Sequence, residues 1–284
     1  MPRVAVVTDS TAMVPDDLVA EHGIVVVPLQ VIIGEECYEE GLPESSPAAV
    51  VAALADKTPV STSRPAPEKL REVYARLAEQ GYDEVVSVHV SGEMSGTVES
   101  ARMAARDAPI PVVALDTRAV GPCVGFAVLA AVQAVADGAS AKDAAAAALA
   151  RSSATRSLFY VDTLEYLRRG GRIGAATALL GSALAVKPLL TIGEGRVVPH
   201  ERVRTAARAL SRLEELAVEA AQERRVEVAV AHMSALERAQ TLVDSLTERL
   251  AEQLAAPVRC GEIGAALTAH VGPGVLAVVV APAL

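Results

Sequence analysis

The sequence has no tryptophan, two phenylalanines and five tyrosines in 284 residues. Base-stacking platforms need aromatic faces, so this chain is a poor match to single-stranded nucleic acid. Positive charge is short too: 26 Lys and Arg stand against 35 Asp and Glu, a formal charge of −9, which argues against a general nucleic-acid binder. The three cysteines (Cys37, Cys123, Cys260) are odd in number and widely spaced. They show no metal-ligand pattern and read as buried thiols in a reducing cytoplasm. The five histidines are scattered, with no His-Glu-x-x-His or Cys-x-x-Cys, so no metal is expected. No Gly-x-Gly-x-x-Gly follows a strand, which argues against a dinucleotide cofactor. Long apolar runs are also missing. Val124 to Ala136 is interrupted by Gln133 and falls short of a membrane span. Met1 to Val7 is too short for a signal-peptide core.

What is present is aliphatic. Hydrophobic residues make up 51% of the chain, mostly Ala, Val and Leu, so any cavity would be walled by branched side chains rather than rings. Short β-branched runs alternate with amphipathic stretches, the pattern of an α/β protein. Strands are expected at Val4–Val7, Ile24–Val27, Val31–Ile33, Val85–Val90, Val112–Leu115, Leu158–Val161, Leu189–Ile192, Val226–Ala231, Val258–Glu262 and Val275–Val280. Helices are expected at Pro47–Asp56, Pro67–Gln80, Ser95–Asp107, Gly121–Asp137, Ala141–Arg151, Glu201–Arg224 and Leu236–Ala255. The seam falls near Ser152–Arg156, giving two α/β domains, 1–154 and 155–284.

Hydroxyl-rich segments follow several strands. Thr8-Asp9-Ser10-Thr11 directly follows the first strand, where α/β sheets place ligands; the alternative is a turn and helix cap. Ser61-Thr62-Ser63-Arg64-Pro65 precedes the helix expected from Pro67, and three successive hydroxyls exceed what a cap requires. Ser91-Gly92-Glu93-Met94-Ser95-Gly96-Thr97 joins a strand to a helix. Helix N-termini carry free N–H groups and partial positive charge, so both segments read as anion cradles. The third is neither a Walker loop, since the Lys is missing, nor a nucleophile elbow.

A fourth region runs from Tyr160 through Gly170-Gly171-Arg172-Ile173 and Leu179–Leu190. Between Glu165 and Arg212, nine basic residues face three acidic ones, a net of +6 inside an acidic chain. Such polarity suits an acidic partner or phosphate groups; the alternative is a solvated helix face carrying Arg204, Arg208 and Arg212. His270-Val271-Gly272-Pro273-Gly274 leads into the last strand, where a histidine can donate to an anion or simply complete a turn. A Ser-His-Asp triad stays open, since its members need not be adjacent in sequence. The residues themselves favour a binding protein for an anionic ligand with an apolar remainder.

In combination and order, Val6–Thr11, Ser61–Pro65, Ser91–Thr97, Asp162–Leu167 with Gly170–Ile173, Lys187–Leu190, Arg202–Thr205 and Gly272–Gly274 resemble the DegV family of bacterial fatty-acid-binding proteins. The resemblance covers nearly the whole chain. It implies two α/β domains with one fatty acid between them, and a lipid-carrying subunit that has no catalytic residue or cofactor of its own. It also implies a partner, a fatty acid kinase, which supplies ATP and converts the bound acid to an acyl phosphate for phospholipid synthesis. Thr62, Ser95, the Gly96 N–H and His270 take the carboxylate. Ser61, Ser63, Ser91, Asp9 and Ser10 stand behind them, and Arg172 and Arg204 face the kinase or the phosphate. Two departures stand out: Arg64 where the family commonly has Gln, and Glu93 in the hydroxyl loop, expected to face solvent or pair with an Arg. The competing readings are a carrier of another apolar carboxylate and a stand-alone serine hydrolase or transferase using Ser95 or Ser91.

Overall fold

The computed structural model describes residues 2–173 and 187–284, so the Leu179–Val186 part of the fourth region lies outside the described residues. In chain order the first elements are β1 (Val4–Asp9), α1 (Asp16–His22), β2 (Val25–Val27), β3 (Gln30–Ile33), β4 (Glu36–Glu39), α2 (Pro47–Ala55), β5 (Val60–Ser63), α3 (Pro67–Glu79), β6 (Glu84–His89), α4 (Thr97–Arg106), β7 (Val112–Asp116), α5 (Pro122–Ala136) and α6 (Ala141–Ala154). Then follow β8 (Arg156–Tyr160), α7 (Glu165–Arg169), β9 (Lys187–Gly193), β10 (Arg196–Val203), α8 (Ala206–Ala221), β11 (Val226–His232), α9 (Leu236–Arg249), β12 (Arg259–Glu262), α10 (Ala265–Val271) and β13 (Leu276–Pro282). No helix among the described residues is long and apolar enough to cross a membrane.

The chain forms two compact units, and the division is not the linear one expected. Met1–Gln30 and Thr62–Ser153 make the first unit; Val31–Ser61 joins Ala154–Leu284 in the second. A reading at 1–154 and 155–284 follows composition along the chain and does not register contacts between distant segments, such as those of α2 with α10.

The first unit is built on a four-stranded sheet of order β2-β1-β6-β7, parallel throughout. Strand β1 is buried at every position, as expected for a parallel sheet covered on both faces. Ala5, Val7 and Val85 pack with Leu70, Val73, Tyr74 and Leu77 of α3 and with Ala101 and Ala104 of α4, while α5 also packs on β1 and β6. Strand β1 runs out to β2 on one side and meets β6 on the other. The carboxyl ends of β1 and β6 therefore form the point where strand order reverses, the usual ligand crevice of open α/β sheets.

The second unit carries a six-stranded sheet of order β10-β9-β8-β13-β11-β12, antiparallel except where β11 meets β12. Its core is aliphatic, with Leu213 and Leu216 of α8 and Leu242 and Leu246 of α9 against Leu158, Val228, Val278 and Val280. Helix α8 starts later than the sequence pattern suggests. Glu201–Val203 belongs to β10, whose pairing with β9 shifts register between Pro199 and Glu201. A proline at a bulge of an edge strand costs no ladder bond. A third sheet has the order β4-β3-β5.

Candidate functional site

At the carboxyl end of β1, the Asp9 carboxylate is fully enclosed. Its Oδ1 accepts hydrogen bonds from Thr11 N (3.1 Å) and Thr11 Oγ1 (2.6 Å). Its Oδ2 accepts from Val90 N at 3.0 Å and pairs with His89 Nδ1 at 3.0 Å. Behind it, His89 Nε2 lies 2.7 Å from Ser87 Oγ, which lies 2.9 Å from the Tyr74 hydroxyl. With the ring proton on Nδ1, one direction satisfies every atom: Tyr74 donates to Ser87, Ser87 to His89, and His89 to Asp9. Burial works to raise the Asp9 pKa, but the hydrogen bond from His89, with those from Thr11 and Val90, holds it below its ordinary value.

Asp9, His89 and Ser87 thus have the hydrogen-bond order of a Ser-His-Asp triad without its access. All three are fully buried, as is Tyr74, so Ser87 Oγ is closed to substrate. The relay instead pins Val90, where the next loop begins. Sequence reading missed it, although the signal was there: Ser87 and His89 are two residues apart, on one face of a strand that pairs with β1.

The loop after β6 is ordered by Ser91. Its carbonyl accepts from Met94 N and Ser95 N, both at 3.0 Å, its Oγ accepts from Glu93 N at 3.2 Å, and the residue is fully buried. That position is unsuited to a nucleophile. Ser95 is half-buried, and its hydroxyl pairs with Thr97 Oγ1 at 2.8 Å rather than with a histidine. Glu93 is exposed. Helix α4 opens after Gly96, which has no side chain to cap it; Ser95 Oγ accepts from Thr97 N at 3.4 Å, and the amides that follow in the first turn have no partner within the helix. Ser10, half-buried beside the crevice, accepts from Leu29 N at 2.9 Å.

Ser61, Thr62 and Ser63 do not sit at a helix N-terminus as expected. They lie on β5, and α3 begins at Pro67 after an Ala66 cap that makes no side-chain bond. The prolines at 65 and 67 hold the residues before them extended, which separates the hydroxyls from the helix. Arg64 nevertheless brings this segment to the Ser91 loop, where its Nη1 donates to the Gly96 carbonyl at 3.2 Å. A Cβ on Gly96 would stand 2.8 Å from Arg64 Cδ, so the glycine lets the arginine lie directly on the loop. Thr62, Ser63, Ser95 and Gly96 belong to the first unit; Ser61 belongs to the second, with His270, Arg172 and Arg204.

In the second unit, three glycines close α7 onto the end of α10. The space where a Cβ of Gly170 would stand is taken by His270 Nδ1, that of Gly272 by the Tyr166 ring, and that of Gly274 by the Asp162 carboxylate. Gly272 and Gly274 also have positive φ, at 70° and 84°, which disfavours any side chain there. Asp162 is held by the Tyr160 hydroxyl at 2.7 Å and by Arg238 at 3.7 Å. Burial, then the hydrogen bond and charge of Asp162, raise the Tyr160 pKa. The His270 pKa is lowered to about 4, first by burial and then by the charge of Arg172. At neutral pH this ring is therefore uncharged and offers a single N–H.

Arg172 and His270 are thus neighbours. Arg204 is exposed on the bend before α8 rather than on a helix face. Part of the basic stretch is committed internally: Arg212 binds Glu201, Glu215 and Glu219, and Lys187 donates to the Asp162 carbonyl at 2.9 Å. A separate cleft of about 700 Å³ in this unit is lined in part by His232, Ser234, Glu237, Arg238 and Glu262. One guanidinium against two carboxylates gives it no preference for an anion.

A family model described as "Uncharacterised protein, DegV family" matches residues 3–283. A DegV domain-containing protein of Streptomyces coelicolor is 49% identical over 278 residues, covering 98% of both chains. Among solved structures, a fatty-acid-binding DegV family protein from Thermus thermophilus superposes with a TM-score of 0.91 at 32% identity, over 99% of this chain and 100% of that one. DegV from Bacillus subtilis, a fatty acid binding protein, gives 0.90 at 32% identity over 100% of both.

Proposed function

Because the chain belongs to the DegV family, we propose that it binds a long-chain fatty acid and presents its carboxylate to a partner kinase. The supporting observation is the junction of two hydroxyl segments in the first unit, marked by the Arg64–Gly96 hydrogen bond, beside the carboxyl ends of β1 and β6. Thr62 and Ser95 donate hydroxyl hydrogen bonds to the carboxylate, Gly96 donates its N–H, and His270 acts as a neutral donor. Asp9, Ser10, Ser61, Ser63 and Ser91 hold these groups in place.

The energetics allow a weak head-group site. A sixteen-carbon acid buries roughly 15 methylene and methyl groups at about 0.8 kcal/mol each, on the order of 12 kcal/mol, against association costs of several kcal/mol. Affinity then resides in the chain, and the head group need only be oriented. Neutral donors leave more charge on the carboxylate oxygen than a bidentate guanidinium would. That oxygen attacks the γ-phosphorus of ATP held by the kinase, ADP leaves, and an acyl phosphate forms for phospholipid synthesis. Arg172 and Arg204 face the kinase or the transferred phosphate. This chain contributes no base and no cofactor, and acts in the cytoplasm.

Native mass spectrometry of the purified protein tests the reading. A non-covalent adduct of fatty-acid mass, exchangeable with added palmitate or oleate, is expected. A protein that stays empty and ignores both acids overturns it, and preferential exchange with an isoprenoid or aromatic acid replaces the fatty acid with that ligand.

A further inference from the structure

Helix α10 has seven residues and ends one residue after His270. So short a helix is not stable in isolation and takes its position from its neighbours. Its N-cap is Gly264, which has no side chain to accept the first free N–H groups. That function is filled from the segment inserted between the two stretches of the first unit. Glu40 Oε1 accepts from Ala266 N at 2.7 Å, across 226 residues of sequence. The fit is close, for a Cβ on Gly264 would stand 2.5 Å from the same oxygen, so the missing side chain at the cap is what admits Glu40.

Glu40 is itself held in place. The turn that carries it is tied by the fully buried Ser45, whose hydroxyl donates to the Glu39 carbonyl at 2.7 Å and lies 3.3 Å from the Leu42 carbonyl. Gly41, with φ 103°, makes the bend. Helix α2, which follows this turn, packs along α10, and α7 packs there as well. The N-terminus of α10 is thus held by Glu40, and its C-terminal turn sets His270 against Gly170. A carboxylate at a helix N-terminus is also favoured by the helix dipole.

We infer that Glu40 is a positioning residue for His270, fixing the helix that carries the imidazole; its importance for ligand binding rests on the head-group role proposed above. The inserted segment Val31–Ser61 would then belong to the second unit because it sets that helix.

The test uses the full chain with Glu40→Ala, Glu40→Gln and His270→Ala, alone and combined. Glu40→Ala removes the acceptor, and the Ala266 amide should exchange about fivefold faster, the effect of losing a cap. The His270 ring, followed by NMR, should titrate nearer its ordinary midpoint, and palmitate should bind about fivefold more weakly. Glu40→Gln keeps an acceptor oxygen and should restore all three. In the His270→Ala background, Glu40→Ala should have no further effect on palmitate affinity. If His270→Ala alone leaves palmitate binding intact, the head-group role of His270 fails, while the ring titration still decides the link to Glu40. Unchanged Ala266 exchange and an unchanged His270 titration in Glu40→Ala overturn the inference.

Discussion

The Asp9 carboxylate and the His89 imidazole meet at 3.0 Å with neither side chain exposed. They join the ends of two parallel strands, and the loop bearing Ser95 departs from that junction. Removing the carboxylate leaves the Val90 and Thr11 amides and the imidazole without their buried acceptor. With several buried donors left unsatisfied at about 1–3 kcal/mol each, Asp9→Ala should cost about 3–5 kcal/mol, measured by urea unfolding. The pH dependence follows from the lowered Asp9 pKa. Its stabilisation is complete above the unfolded carboxylate value and lost as pH falls through the lower folded value. Wild type should therefore lose stability in acid faster than Asp9→Asn. Parallel acid profiles would show that this carboxylate is not a source of the pH dependence.

Ser87 should be inert to serine-directed phosphonate probes in the native state, because it has no exposed surface. Peptide mapping after labelling decides this; a labelled Ser87 in folded protein would show that the relay is open to reagents. The Tyr74 phenol, its pKa raised to about 12 by burial against the opposing effect of the Ser87 bond, should stay un-ionised in ultraviolet titration until about that pH.

Gly96→Ala tests the carboxylate cradle. Gly96 has φ −73° and ψ 11°, which alanine tolerates, so stability should change by no more than about 0.5 kcal/mol. The new methyl group would meet Arg64 and crowd the amide. Losing a hydrogen bond to a charged group should weaken palmitate binding about tenfold, measured by displacement of a fluorescent fatty acid. Arg64→Ala in the same background should recover part of that loss. Unchanged affinity in Gly96→Ala would remove the Gly96 amide from the site.

His270 should make the second unit acid-sensitive in its own range. Its folded pKa is lowered to about 4 from 6.5, so the folded state binds fewer protons between those values. Stability is complete above about 6.5 and declines as pH falls towards 4. In Gly170→Ala the added methyl displaces the ring. The NMR midpoint of His270 should then rise, and this part of the acid loss should shrink. A midpoint still near 4 would show that Gly170 does not set the ring environment.

Much of the fold was legible because β-branched runs and buried helix faces report themselves locally. The ten strands expected from the sequence are all present. Those that escaped lack that signature. Strand β4 is Glu-Cys-Tyr-Glu and mostly exposed, and β10 carries a proline and three charged residues along an edge. The hydroxyls at 61–63 were visible, but the strand that carries them was not, since Val60 is its one hydrophobic residue. The Asp9–His89 relay and the Glu40 cap depend on contacts 80 and 226 residues apart. The two-residue spacing of Ser87 and His89 is local, but no local pattern encodes a partner 80 or 226 residues away.

The Glu40–Ala266 separation also has a consequence during synthesis. At roughly 5–20 residues per second, a ribosome takes about 10–45 s to cover that span. Throughout that interval the nascent chain holds helix α2 and the Glu40 turn without the helix they pack against and cap. All of the first unit has been made once its last helix emerges. The second must wait for nearly the whole polypeptide, so a stalled or truncated translation product would carry a finished first half and an apolar loop with nothing to fold against.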